Sequence, residues 1–258
     1  MSALPPLLSL VIPCYKDAPH LRANTDEIIR VLTAMNLSWE IIFVNDASPD
    51  ACLEIIHQMI TDDRTGRLRI VDHVQNTGRG RAVHDGIMVA TGRYCGFLDI
   101  DLEVAATYIL PMVLALEAGA DVACAWRVYK LRFLILHRAL LSRGYSFVSR
   151  KMLKNEMPDT EAGCKFFNRE RILPVLATCE DPGWFWDTEI MLRSKMAGLK
   201  IDFPTVLFVR RPDKATTVRL IHDVIEYWRR LFKFRSAIRG GQIQLPAPPA
   251  SSAPPSHG

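Results

Sequence analysis

The chain has 258 residues, 49% of them apolar and 23% charged, which is the composition of an ordinary folded protein long enough for one large domain or two small ones. Its formal net charge of +4 confers no general affinity for polyanions, and no nucleic-acid partner is expected. Six cysteines (14, 52, 95, 124, 164 and 179) lie far apart without a CxxC pair, which suggests neither a zinc module nor a disulfide framework and fits a reducing cytosol.

Met1 to Leu8 is too short for a signal peptide, and no apolar run reaches the roughly 18 residues needed to cross a bilayer. A cytoplasmic protein, soluble or peripheral on the cytosolic face of a membrane, is expected. Leu7 to Ile12 reads as a strand stopped by Pro13, and Pro19 to Met35 as a helix. Trp39 to Val44 is a second buried strand, ended by the turn-rich NDASPD and followed by an amphipathic helix over Leu53 to Ile60. Leu68 to Val74 makes a third strand, Arg79 to Ala90 a third helix and Tyr94 to Leu98 a fourth strand. Strands alternating with helices predict an α/β fold with a mainly parallel central sheet flanked by helices, whose ligands sit beyond the carboxyl ends of the strands. Ala106 to Gly119 reads as helical and Val122 to Ala125 as extended, whereas Leu131 to Lys154 is a long apolar and basic stretch. The expected organisation is one catalytic domain over residues 1–239 and a disordered Pro/Ser/Gly-rich tail over 240–258.

The fourth strand runs into Asp99, Asp101 and Glu103, three acids at alternate positions. An extended segment would point all three to one side, and converging carboxylates are relieved by a hard divalent cation such as Mg²⁺ or Mn²⁺. Taken alone, a DxD is as readily an ordinary solvated loop.

Context adds weight. SLVIPCYKD, EIIFVNDASPD, NTGRGRAVHDGIMVATGRYCGFLDIDLE, DTEAGCKFFNRE and FWDTEIMLRSKMAGLKIDFP follow one another in the order found in family 2 glycosyltransferases of the GT-A fold, which the chain resembles over roughly residues 7 to 235. It is most similar to the branch of polyprenyl- or dolichyl-phosphate mannose and glucose synthases. The resemblance implies a donor site in which Pro13, Tyr15 and Asp17 form the first loop and Asp46 contacts base or ribose. The residue before it, usually Asp, is here Asn45. Asn76, Gly78 and Arg79 match the loop that approaches the donor, Asp99 and Asp101 the metal-binding pair, and Glu103 a position that approaches the metal. Arg211, Lys214 and Thr216 match a loop that closes over the diphosphate, with Lys214 where relatives commonly have Gly. Asp187 and Glu189 match the acidic pair near the acceptor. Plainer roles stand beside these: Pro13 as a strand terminator, Asp46 as a cap, Gly78 as a turn former, and Asp187 and Glu189 as acids at a helix N-terminus.

Arg127, Arg138 and Ser142 resemble the acceptor-phosphate site of the synthases. Around them, residues 131–154 mix large apolar residues with cations, and Val218 to Arg235 repeats that mixture with Ile221, Val224, Ile225, Trp228, Leu231 and Phe232 as a stripe. Both fit a helix on a membrane surface, and equally a helix packed on the protein with a basic outer face. The resemblance thus implies a metal-dependent, inverting transfer of one hexose, mannose or glucose, from a donor of the GDP-mannose or UDP-glucose type to a polyprenyl phosphate. A membrane surface or a membrane-anchored partner subunit is the expected neighbour. Two other readings are open: transfer to a hydroxyl acceptor with Asp187 as general base, and a non-catalytic nucleotide-sugar-binding protein.

Overall fold

The structure is a computed structural model that describes residues 5–129, 157–210, 220–241 and 243. The chain opens with β1 (Leu8–Cys14), α1 (Ala18–Ala34), β2 (Trp39–Asn45), α2 (Cys52–Asp62), β3 (Leu68–Asp72), α3 (Arg79–Met88) and β4 (Tyr94–Leu98). A 3-10 turn over Ala106–Tyr108 leads into α4 (Ile109–Glu117), then β5 (Val122–Cys124) and β6 (Trp126–Tyr129). After the segment 130–156 come β7 (Cys164–Asn168), α5 (Arg169–Leu176), α6 (Trp186–Met196), β8 (Ile201–Asp202), β9 (Thr205–Phe208) and α7 (Leu220–Arg239).

Among the described residues, seven strands form the main sheet in the order β3-β2-β1-β4-β7-β5-β8. The first half is parallel, as the strand–helix alternation predicts, with β1 paired to β2 and β4, and β2 to β3. β7 departs from that pattern: it lies antiparallel between β4 and β5. β6 and β9 form a separate parallel ribbon. Every residue of β1, β2 and β4 is buried, because helices cover the sheet and leave no solvated face that would demand polar alternation. On α1 the buried residues Leu21, Asn24, Thr25, Ile28, Val31 and Leu32 recur at helical spacing. Pro13 is tolerated inside a central strand because pairing with β4 stops at Val11, so its missing N–H leaves no gap in the ladder.

The strand order reverses between β1 and β4, which opens a crevice at their carboxyl ends. The loops after β1, β2 and β4 meet there. Each carries a non-glycine residue with positive φ, namely Lys16 (62°), Ala47 (50°) and Leu102 (52°), so backbone strain gathers along this rim.

The helix expected at 218–235 is seen as α7. Tyr227, Leu231 and Phe234 are buried, Trp228 packs partly against the core, and Phe232 is exposed. Tyr227 and Phe234 both lie edge-on to Phe185, so this face packs on protein. The helix expected within 131–154 and, apart from 240, 241 and 243, the tail over 240–258 lie outside the described residues.

Candidate active site

The rim is organised by Asp46, which follows β2 and is buried. Its Oδ1 accepts bonds from His73 Nδ1, the Thr77 amide and the Thr77 hydroxyl, each 2.8 Å, and its Oδ2 accepts from the Gly78 amide at 2.8 Å. The Asn76 amide donates to the Asp46 carbonyl at 3.1 Å. Burial alone would raise the Asp46 carboxyl, but these donors hold it below the usual carboxylate range. Asp46 therefore pins the loop 73–78, and both carboxylate oxygens are taken up in doing so. Gly78 adopts φ 101°, and a Cβ there would lie 2.5 Å from the Pro182 carbonyl oxygen, so glycine is required both by conformation and by close approach.

Asn45 has a structural partner as well. Its amide donates to Asp72 Oδ1 at 2.7 Å, which an aspartate at 45 could not do without repulsion. The first loop is built similarly. The Tyr15 amide donates to Asp17 Oδ2 at 3.1 Å, the Lys16 amide to Ser48 Oγ at 2.7 Å and the Ala18 amide to Asp50 Oδ2 at 3.0 Å. Asp17 is buried and closes this turn, while Tyr15 remains half-buried at the crevice.

The acidic run after β4 is not extended. The strand ends at Leu98, the Leu102 amide donates back to the Asp99 carbonyl at 3.2 Å, and Leu102 turns left-handed. Strand alternation therefore does not apply beyond Leu98, and the expectation of three acids on one side is corrected. Among the described residues no three His, Cys, Asp or Glu side chains form a metal-holding group, so Glu103 does not complete a trio with Asp99 and Asp101. Instead the Glu103 carbonyl accepts from the Val209 amide, tying this turn to the end of β9. Asp101 Oδ1 accepts from the Glu103 amide at 3.2 Å. Burial pushes the Asp99 carboxyl up to about 6 against the pull of Arg79, and Asp101 and Asp187 add to the rise. Two carboxylates so close in the chain are chemically suited to a hard divalent cation, which often takes only one or two protein carboxylates. Asp99 also rests on Gly163, where any Cβ would run into its carboxylate.

Arg79, at the start of α3, ties this pair to the second acidic cluster. Its Nε and Nη2 donate to Asp99 Oδ1 at 3.0 and 2.8 Å, and its Nη1 to Asp187 Oδ2 at 2.5 Å. The guanidinium also faces the rings of Phe97 and Trp184, 5.2 and 5.4 Å from their centroids. The other Asp187 oxygen accepts from Lys165 Nζ at 2.5 Å, and that ammonium also bonds the Ala162 carbonyl at 2.6 Å. Lys165 has 0% exposure and Asp187 2%. Against burial, Arg79 and Lys165 hold the Asp187 carboxyl below its ordinary value.

Glu189 separates from Asp187. Residues two apart on a helix lie about 200° around its axis, so the two acids of FWDTE leave opposite sides of α6. Glu189 Oε2 accepts from the Glu180 and Asp181 amides at 3.1 and 2.8 Å, and its Oε1 from Arg193 Nε at 2.8 Å. It holds the loop 180–183 that seats α3, through the Arg81 amide donating to the Pro182 carbonyl. The expected acidic pair is thus split, Asp187 joining Arg79 and Lys165 and Glu189 joining Arg193 and the loop 180–183.

Arg127 lies on β6, where Asp159 takes its Nε and Nη2 at 2.7 and 3.0 Å, and it faces the rings of Tyr129 and Phe208. Arg138 and Ser142, expected beside it, and Arg211, Lys214 and Thr216, expected over the diphosphate, lie outside the described residues. Glu161 follows Asp159 in the chain, its amide donating to Asp159 Oδ1 at 3.0 Å. Burial pushes its carboxyl up to about 7, Arg127 opposes this, and Asp159 and Asp187 reinforce it.

Sequence reasoning did not single out Lys165, Asp159, Glu161, His73 or Thr77. One signal was available for the first: a lysine inside the apolar run CKFF must find a buried counter-charge.

A model of the family described as glycosyl transferase family 2 matches residues 9–172. Among curated relatives, the glycosyltransferase AglD of Haloferax volcanii is 26% identical over 224 residues, covering 84% of this chain and 35% of that protein. Dolichyl-phosphate beta-glucosyltransferases of Dictyostelium discoideum and Saccharomyces cerevisiae are each 26% identical, over 75% and 76% of this chain and 64% of their own length. The chain thus spans less than two thirds of the length of these relatives. Among solved structures, the mannosyltransferase PcManGT of Pyrobaculum calidifontis, in complex with GDP-Man and Mn²⁺, superposes with a TM-score of 0.61 at 16% identity, covering 94% of this chain and 66% of that one. Glucosyl-3-phosphoglycerate synthase of Mycobacterium tuberculosis, in complex with Mn²⁺, UDP and glucosyl-3-phosphoglycerate, gives 0.62 at 16% identity, covering 92% and 80%. These likenesses establish the GT-A fold.

Proposed function

The chain belongs to glycosyl transferase family 2, and on that premise we propose that it moves one hexose, mannose or glucose, from a nucleoside-diphosphate sugar to a polyprenyl phosphate at the cytosolic face of a membrane. The state of Asp187 carries this reading. Both of its oxygens are engaged by buried cations and its carboxyl is held low, so it is a poor proton acceptor. A hydroxyl nucleophile needs a base at that point. A phosphate monoester, whose second ionisation lies near pH 6, arrives already anionic and needs cations to position it. Arg127 supports that reading as a candidate cation, its guanidinium oriented by Asp159 through Nε and Nη2. The dolichyl-phosphate glucosyltransferases among the relatives support the same acceptor class.

On the donor side, Asp46 holds the loop 73–78 in place and Tyr15 borders the crevice into which the nucleotide would fit. Mg²⁺ or Mn²⁺ held by Asp99 and Asp101 would neutralise charge on the donor's diphosphate as the sugar bond weakens. Arg79 and Lys165 hold Asp187 ionised close to Asp99, so its negative charge would stabilise developing positive charge on the sugar in a single inverting displacement.

A second reading, transfer to a hydroxyl, is favoured by Glu161, whose carboxyl near 7 would suit a base in place of Asp187. Incubation with Mn²⁺ or Mg²⁺, labelled GDP-mannose or UDP-glucose and a polyprenyl phosphate should give an organic-extractable product that is absent with Asp101→Ala. No label in the lipid phase, or equal transfer to the matching polyprenol, refutes the phosphate-acceptor reading.

A further inference from the structure

Arg79 is placed where two charges compete for one carboxylate. Its Nε and Nη2 converge on the same oxygen of Asp99, at 3.0 and 2.8 Å. The remaining nitrogen is anchored to Asp187 at 2.5 Å, and the guanidinium is flanked by Phe97 and Trp184. The side chain is 14% exposed, so this is a partly desolvated, oriented ion pair and not a mobile surface contact. It is also asymmetric. Asp187 has a second cation in Lys165, whereas among the described residues Arg79 is the one cation bonded to Asp99. The stiff part of the arrangement is therefore Arg79 on Asp187, and the part that can be exchanged is Arg79 on Asp99.

We propose that Arg79 is the resident counter-ion of the cation site: it neutralises Asp99 until a divalent cation takes that carboxylate, and it then offers the two released N–H donors to the phosphate oxygens of the donor. This inference rests on Asp99 and Asp101 being cation ligands, as proposed above. A divalent cation and a guanidinium on one carboxylate repel each other at close range, so the cation must displace the fork and its intrinsic affinity is masked. Binding of metal without donor is thereby disfavoured, because Nε and Nη2 lose the carboxylate they share while Nη1 stays on Asp187. When the diphosphate arrives with the metal, it supplies that anion. Arg79 thus acts as a positioning residue that couples metal binding to donor binding.

The test titrates Mn²⁺ alone into the full chain, with free Mn²⁺ read by electron paramagnetic resonance and folding checked by circular dichroism. Arg79→Gln removes the competing charge and should bind Mn²⁺ about tenfold more tightly than the wild type. Arg79→Lys keeps the charge but loses the fork, and should fall between the two. Arg79→Gln with Asp101→Asn should lose the tight binding, which locates the gain at this site. Unchanged or weaker binding by a folded Arg79→Gln overturns the proposal. If that variant does not fold, Arg79→Lys decides alone: tighter than wild type supports the exchange, and equal or weaker binding overturns it. Retention of tight binding in the double variant overturns it too. Absence of Mn²⁺ binding in every variant refutes the cation site itself, an outcome distinct from the failure of the exchange.

Discussion

Lys165 is the most informative single perturbation, because a fully buried ammonium has few reasons to be present. Its Nζ lies 2.5 Å from Asp187 and 2.6 Å from the Ala162 carbonyl. Removing one partner of a buried ion pair typically costs about 3–5 kcal/mol, because the other charge is left uncompensated. In Lys165→Met, Asp187 keeps Arg79, so the lower end, about 3 kcal/mol, is expected. Asp187→Asn leaves two buried cations facing a neutral amide and should cost about the same. The double variant removes the mismatch in part, and the two losses should fall short of additive by about 2 kcal/mol. Urea unfolding followed by circular dichroism, with an unchanged slope, measures all three. Low pH gives an independent reading. The Asp187 carboxyl is depressed in the folded state, so its contribution is complete above the unfolded value near 4 and disappears as pH falls through the lower folded value. The stability gap between wild type and Asp187→Asn should therefore close below about pH 4. A loss under about 1 kcal/mol for Lys165→Met, or full additivity of the pair, would refute the view of Asp187 as a charge held by two cations.

Asp46→Ala should free the loop 73–78: amide exchange there should quicken by about a hundredfold while the central strands stay protected, reflecting roughly 2–3 kcal/mol of lost local bonding. Gly163→Ala places a methyl group against the Asp99 carboxylate and should weaken Mn²⁺ binding about tenfold, with roughly 1–3 kcal/mol lost from overall stability. Glu161 has the opposite pH dependence to Asp187. Its folded carboxyl is raised to about 7 from 4.5, so wild-type stability declines as pH rises between those values; the melting-temperature advantage of Glu161→Gln should grow from pH 5 to pH 8. Equal advantage at both pH values would show that Glu161 is not held protonated.

The first hundred residues were legible because their chemistry is local. A parallel strand buried on both faces must be an apolar run, and β1, β2 and β4 stand at the expected runs Leu7 to Ile12, Trp39 to Val44 and Tyr94 to Leu98, except that Pro13 does not stop β1, which continues to Cys14. The rim position of Asp46 and Asp99 follows from the same logic, since turns after parallel strands converge on one edge. The periodicity argument failed where the element type changed. Asp99, Asp101 and Glu103 alternate only if the strand continues, and it ends at Leu98. The antiparallel insertion of β7 was also illegible, because strand direction is set by which edge is available and not by the apolar pattern of CKFFN.

What the sequence determined by itself is the α/β architecture and the strand-end rim on which Asp46 and Asp99 stand, both of which depend on neighbours a few residues away. What only the tertiary structure decided is the protonation and partnership of those acids. Arg79 meets Asp187 across 108 positions and Lys165 meets it across 22, and neither contact leaves a periodic trace in the chain. A carboxylate's role depends on its burial and on the cations around it, and those are properties of the fold as a whole.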